Sequence, residues 1–170
     1  MCVLIYKPKG VDLPDLRIIE RAQMYNPHGN GFATLSGNVF KTTDRERFLY
    51  VLEAVVNKED DAMIHLRYAT HGSKIKENCH PFEADGFIFA HNGVLPIESK
   101  NDMTDSEIYF HRLLPKLKKY GIDSPQVKKD VENIIGGSKF CIFDTQRQQA
   151  KLFGHYTEVN GCYFSNLNFV

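Results

Sequence analysis

Between His65 and Leu95 the chain reads HLRYATHGSKIKENCHPFEADGFIFAHNGVL, and few local structures accommodate that mixture. Imidazoles, a guanidinium, a thiol and carboxamides crowd a segment that also holds the apolar run Gly86-Phe87-Ile88-Phe89. That run ends in the polar turn Ala90-His91-Asn92-Gly93. A core segment needs fewer polar groups, and a surface loop needs fewer aromatics. Strands that deliver alternate side chains into a shared cleft satisfy both demands. From Ala62 to Ala69 the alternation places Ile64, Leu66 and Tyr68 on a core-facing side. It places His65 and Arg67 on a side that faces something polar.

The flanking segments supply the rest of an α+β chain. Val3 to Tyr6 reads as a short buried strand beginning at Cys2, and a helix with Leu16, Ile19 and Ala22 on one face is expected after Pro14. Asn26-Pro27-His28-Gly29-Asn30-Gly31 is dense in turn formers, and a hairpin follows around Ser36-Gly37. Thr43-Asp44-Arg45-Glu46 and Thr104-Asp105-Ser106-Glu107 both fit a capping box, in which the Thr hydroxyl accepts the N–H of the Glu. The first opens a helix with Phe48, Leu52 and Val55, and the second a helix with Ile108, Leu113 and Leu117 that Pro115 should kink or split. Ser124-Pro125 is an N-cap followed by an N1 proline, and Gly136-Gly137 closes that helix. Lys139 to Asp144 and Ala150 to Gly154 are expected to pair, and Cys162 to Ser165 forms a last strand. Sheets and helices then pack in layers, in one domain spanning residues 1–170.

Charge and cysteine usage exclude several classes. Lys+Arg and Asp+Glu both number 21, so no excess charge recruits nucleic acid or an anionic membrane surface. No apolar run reaches the ~20 residues of a membrane span, and the N-terminus lacks the basic lead of a signal peptide. Cys2, Cys79, Cys141 and Cys162 are scattered without a CxxC pair, which speaks against a zinc ribbon or a disulfide scaffold and for a reducing, cytoplasmic setting.

Four positions carry the candidate chemistry. Removal of Met1 would give Cys2 a free α-amine, so that a base of pKa ~7.7–8.0 and a thiol of pKa ~8.5 share one residue. Alternatively Cys2 packs as a small hydrophobe. Arg67 on a strand either pairs with a carboxylate of the protein or receives one from a ligand through two parallel hydrogen bonds. Asp105 either stabilises the N-terminus of its helix or accepts a ligand ammonium. Together Arg67 and Asp105 would define an α-amino-acid site. Asn92-Gly93 is a strong turn signal, and it is equally a carboxamide and a main-chain N–H able to point at one developing oxyanion. Cys79 and His80, with His71 and Cys2 or His91, offer zinc-ligand types, but the adjacency of Cys79 and His80 makes shared ligation awkward. His80 and His91 are instead read as hydrogen-bonded structural residues, and neither a metal nor a cofactor is expected.

In order, the motifs are Met1-Cys2, Asn30-Gly31-Phe32-Ala33, His65-Leu66-Arg67-Tyr68-Ala69-Thr70-His71-Gly72, Asn78-Cys79-His80-Pro81-Phe82, Ala90-His91-Asn92-Gly93 and Asp105-Ser106-Glu107. This series resembles the class II glutamine amidotransferase domain of the N-terminal-nucleophile hydrolases, by motif from Cys2 to about Glu107. The resemblance implies a four-layer αββα sandwich. It implies Cys2 as nucleophile, Asn92 and Gly93 as the oxyanion hole, Arg67 on the α-carboxylate of glutamine and Asp105 on its α-ammonium. Thr70, His71 and Gly31 match positions that shape the pocket. Glutamine would lose its side-chain ammonia through a γ-glutamyl thioester on Cys2, and either a separate synthase subunit receives that ammonia or the enzyme only hydrolyses. Two other readings stay open: a hydrolase of another γ-glutamyl amide, and a catalytically silent binding or regulatory module with the same fold.

Overall fold

The computed structural model describes residues 1–70 and 72–170. Its strands are β1 (Val3–Lys7), β2 (Asn30–Thr34), β3 (Val39–Thr42), β4 (Ala62–Leu66), β5 (Phe82–Ala84), β6 (Phe87–Asn92), β7 (Lys139–Asp144), β8 (Gln149–Phe153), β9 (Thr157–Val159) and β10 (Cys162–Phe164). The helices are α1 (Leu16–Tyr25), α2 (Arg45–Val55), α3 (Asp105–Tyr120) and α4 (Pro125–Ile134). The strands form two antiparallel sheets, one in the order β3-β2-β4-β1-β10-β9 and the other β5-β6-β7-β8. The chain is thus a mixed α+β fold. Among the described residues, no helix is long and apolar enough to cross a membrane.

Strand alternation sorts the side chains into three apolar clusters. Val3 and Ile5 of β1 and Ile64 and Leu66 of β4 pack with Ile19 and Ala22 of α1 and Phe48 and Leu52 of α2. Phe87 and Phe89 of β6 and Phe140 and Ile142 of β7 pack with Phe110, Leu113 and Leu117 of α3 and Val127 and Val131 of α4. The intervening residues of both sheets, Leu4, Ala33 and Met63 with Ile88, Ala90, Cys141 and Phe143, meet in a third cluster. Cys2 shares its side of the strand with Leu4, and Arg67 shares its side with His65 and Met63, so both point toward the second sheet.

The helix ends follow the expected chemistry with one displacement. Thr104 accepts the Glu107 N–H (3.3 Å), and Ser124 accepts the Val127 N–H (3.2 Å) ahead of the N1 proline. At α2, however, the cap is Asp44, not Thr43: the Asp44 carboxylate accepts the Arg47 N–H at 3.0 Å. A carboxylate placed one residue later competes well for the same role, and it adds negative charge to the helix N-terminus.

Two further expectations change. Pro115 leaves α3 a single helix from Asp105 to Tyr120. Pro115 and His111 lie on its solvent face, where water can take the orphaned His111 carbonyl, while buried Leu113, Leu114 and Leu117 anchor both halves. Tyr68 is not a core residue; β4 ends at Leu66, and the Tyr68 ring is 42% exposed beside His28.

Candidate active site

The site lies where β1 begins and β4 ends. Val3 pairs with Leu66 in the antiparallel ladder, which brings Cys2 alongside Arg67 and Tyr68. The Tyr68 N–H donates to the Cys2 Sγ (3.2 Å), and the thiol in turn faces the Tyr68 carbonyl (3.4 Å). The Asn166 side-chain amide donates to the Cys2 carbonyl at 2.8 Å, so the main chain of Cys2 is held from the far end of the sequence. Burial pushes the thiol pKa up, while the Tyr68 N–H, the nearby amino terminus and Arg67 pull it back down.

Arg67 is buried, at 4% exposure. Its main-chain N–H donates to the Gly29 carbonyl (2.8 Å), and its Nη1 donates to the Ser73 carbonyl (2.9 Å). Asn78 donates to the same Ser73 carbonyl at 3.1 Å, which fixes the loop that the guanidinium grips. Gly72 has both the guanidinium and the start of α3 as neighbours. A methyl group built on Gly72 would lie 3.7 Å from Arg67 Nη2 and 3.5 Å from the Thr104 methyl. Thr104 caps the helix whose first residue is Asp105.

Asp105 is half-buried and ties two walls together. Its Oδ2 accepts the Leu95 N–H (2.8 Å), and its Oδ1 accepts the Ser106 N–H (2.8 Å) and the Ser106 hydroxyl (3.3 Å). A carboxylate has about four acceptor positions, so these three bonds leave room for an ammonium. The helix-terminal role and a ligand role are therefore compatible in one side chain. A cleft of roughly 540 Å³ opens beside it, lined by Val94 to Ser99.

Asn92 ends β6 and points, like Ile88 and Ala90, toward the first sheet. Its side-chain amide donates to the Ser165 hydroxyl (2.7 Å), which also accepts the Leu4 N–H (2.8 Å). Among the described residues the amide makes no second hydrogen bond, and its Oδ1 is buried without a partner. Gly93 has φ 137°, and a Cβ there would overlap the Ser138 hydroxyl, so both backbone and space demand glycine. His91 anchors this turn: Ser106 lies 2.7 Å from its Nδ1 and Ser138 lies 3.0 Å from its Nε2. Burial holds His91 neutral, against the pull of Asp105. His65 reaches across to the His91 carbonyl (3.0 Å), and burial lowers its pKa to about 3.

These contacts trace a ring left open between Arg67 and Thr104, which have Gly72 as a common neighbour: Cys2 meets Tyr68 beside Arg67 on one side, and on the other Asp105 meets Leu95 past the Gly93 turn, while Asn92 leads through Ser165 and Leu4 back to the strand that carries Cys2. Gly31 stands behind the ring on β2, where a Cβ would overlap the His80 carbonyl. Thr70 is exposed at a bend just past Arg67. His71 lies outside the described residues. His91 is hydrogen-bonded as expected, but His80 is not: both of its ring nitrogens are buried without a hydrogen-bond partner among the described residues, and the ring instead stacks on His65 with centroids 4.2 Å apart. Among the described residues no group of His, Cys, Asp and Glu is arranged to hold a metal. Sequence reasoning missed Ser138, Ser165 and Asn166. Each acts through a partner distant in the chain, and no motif marks them.

A profile of the family described as glutamine amidotransferases class-II matches residues 47–138, more than half of the chain. The chain belongs to the class-II glutamine amidotransferases. Among its relatives in this family, the glutamine–fructose-6-phosphate aminotransferase (isomerizing) of Lactococcus lactis is 31% identical over 96 residues, covering 48% of this chain and 16% of that protein. The enzyme of the same name from Helicobacter pylori is 29% identical over 142 residues, covering 72% of this chain and 23% of that protein. The amidotransferase chain described here therefore spans only about a sixth to a quarter of the curated relatives it matches.

Proposed function

We propose that this chain hydrolyses the side-chain amide of glutamine, with Cys2 as the nucleophile. The observation that carries the reading is the ring of contacts that sets the Cys2 thiol beside Arg67 and ties Asp105 and Asn92 to the same sheet end. Met1 is 65% exposed, accessible to an aminopeptidase, and its removal would free the α-amine of Cys2. In this reading Arg67 holds the α-carboxylate of glutamine and Asp105 its α-ammonium, with Thr70, His71 and Gly31 shaping the pocket. The domain, residues 1–170, would have the four-layer αββα arrangement of N-terminal-nucleophile hydrolases.

The reaction follows from these roles. The α-amine takes the thiol proton, and the sulfur attacks the amide carbon. The second N–H of Asn92 and the main-chain N–H of Gly93 receive the oxyanion. The amine returns its proton to the leaving nitrogen, ammonia departs, and a γ-glutamyl thioester remains. Water then attacks that carbonyl, the Cys2 sulfur leaves and regains a proton, and glutamate is released. The names of the relatives join such a domain to transfer onto fructose 6-phosphate. For this chain, the acceptor site would lie in another domain or on a separate synthase subunit.

Mass measurement of the purified chain, followed by ammonia release from glutamine and from other γ-glutamyl amides, tests the reading. The expected result is a mass lower by one Met, preference for glutamine, and a glutamine-like electrophile mapped to Cys2. A correctly trimmed chain that releases no ammonia from glutamine, or that carries the label elsewhere, overturns it.

A further inference from the structure

We propose that His28 is a positioning residue for this site: its neutral imidazole holds the segment Arg67 to Thr70 in place, and protonation of the ring releases that segment. The inference rests on the reading of the site as a glutamine pocket, but its geometry is independent of it. The β2–β4 ladder pairs Asn30 with Leu66 and continues past both strands. Arg67 donates to the Gly29 carbonyl (2.8 Å), and the His28 N–H donates to the Arg67 carbonyl (3.0 Å). The next rung would take the Ala69 N–H to the Pro27 carbonyl. Instead His28 Nδ1 accepts it, at 2.8 Å. The ring also lies against Tyr68, with centroids 4.9 Å apart. One residue thus holds Arg67, Tyr68 and Ala69. Tyr68 is the residue whose N–H and carbonyl meet the Cys2 sulfur.

A backbone N–H can only donate, so Nδ1 must present its lone pair and the ring must carry its proton on Nε2. Imidazolium would set N–H against N–H. The charged groups that face the ring are all cationic: Lys74 on the following loop, Arg67 at the end of β4, and the amino terminus ahead of β1. Partial burial and these charges favour the neutral ring, so the hold is intact at neutral pH and fails as the medium becomes acidic. Loss of the rung loosens the Tyr68–Thr70 segment and with it the orientation of Arg67 and of the Cys2 sulfur.

The test compares wild type, His28→Ala and His28→Asn in full-length, Met1-processed protein. Asn offers a carbonyl oxygen near the position of Nδ1 and does not titrate. His28→Ala should lower kcat/KM for glutamine about tenfold at pH 7.5, the usual weight of one hydrogen bond at this scale. It should also speed amide hydrogen exchange in the peptide covering residues 67–70. His28→Asn should recover most of both losses, and its KM should stay flat on the acid side, where the wild-type KM rises. Unchanged exchange in His28→Ala, or a KM rise on the acid side that is the same in wild type and His28→Asn, overturns the proposal. Wild-type protein that releases no ammonia removes the glutamine reading, while the exchange comparison still decides the hold.

Discussion

Lys7 and Cys2 stand at opposite ends of one strand: Lys7 is the last residue of β1, and Cys2 immediately precedes its first. Lys7 is wholly buried, and its ammonium donates to the carbonyls of Asn57 (2.8 Å), Lys58 (2.9 Å) and Asp60 (2.6 Å). An ammonium has three donors, and here all three are used. It binds the loop after α2 to the sheet and has nothing left to offer a ligand. At the other end the bonding is unfinished. Asn92 spends one amide N–H on Ser165 and has its Oδ1 unpartnered, Asp105 keeps an acceptor position, and among the described residues the thiol's hydrogen-bond partner is the Tyr68 main chain, with Arg67 and the amino terminus nearby. Two polar ends of one strand are built by the same ladder, yet one is saturated and the other is not, and of its groups Asp105 lines a cleft. Saturated bonding suits a structural role, and unused donors or acceptors held in a fixed geometry suit a chemical one.

Substitution should separate the two ends. Asn92→Ala removes one oxyanion donor, so glutamine hydrolysis should fall by about 10²–10³-fold, while unfolding in denaturant shifts by only about 1 kcal/mol for the lost Ser165 bond. Wild-type-like ammonia release from this variant would take Asn92 out of the site. Lys7→Met should do the reverse. Three carbonyls lose their donor at a cost of about 2–3 kcal/mol, softened where the loop can rehydrate. The kcat/KM of the folded fraction should stay within about twofold of wild type. If instead activity per folded molecule collapses with Lys7, the two ends are coupled and the contrast between them dissolves.

How far the sequence reveals each end depends on the distance over which its residues act. The segment from His65 to Gly93 is legible because its work is local: strand alternation aims Arg67, and a turn that only glycine can make follows Asn92. The caps at Thr104 and Ser124 are legible for the same reason. The side that returns to Cys2, however, is built by Ser165 and Asn166, which reach Leu4 and Cys2 only because β10 pairs with β1 across almost the whole chain. A lone serine and asparagine after a short strand carry no period or spacing that announces this. Tyr68 leaves the core-facing side because the alternation ends with β4 at Leu66, where the chain passes to the His28 turn. The strands β5 and β9 have three residues each, too short to show a period of two. At α2, Thr43 and Asp44 are both good caps, and only the three-dimensional path of the chain chooses Asp44.

The smallest predicted effect concerns the histidines that distinguish the Cys2 end. His65, His80 and His91 are buried, and burial holds each neutral, His65 with a pKa of about 3. In the unfolded chain each would titrate near ~6.5. Below that pH the unfolded chain takes up protons that the folded one refuses. Stability is therefore whole above pH ~6.5, declines as pH falls, and for His65 levels off only near pH 3. Each histidine can contribute up to about 1.4 kcal/mol per pH unit within that window. His80 isolates one of these contributions, because its ring nitrogens have no hydrogen-bond partner among the described residues. His80→Leu should leave stability at pH 7 within about 1 kcal/mol of wild type, since no bond is broken. It should flatten the fall below pH ~6.5, measured as unfolding free energy in urea at each pH. Lys7→Met should leave that slope as it is, because the Lys7 carbonyl bonds involve no group that titrates there. An unaltered slope in His80→Leu would mean that His80 takes up its proton in the folded state as readily as in the unfolded one, and the acid sensitivity would then have to be assigned to His65 and His91 alone.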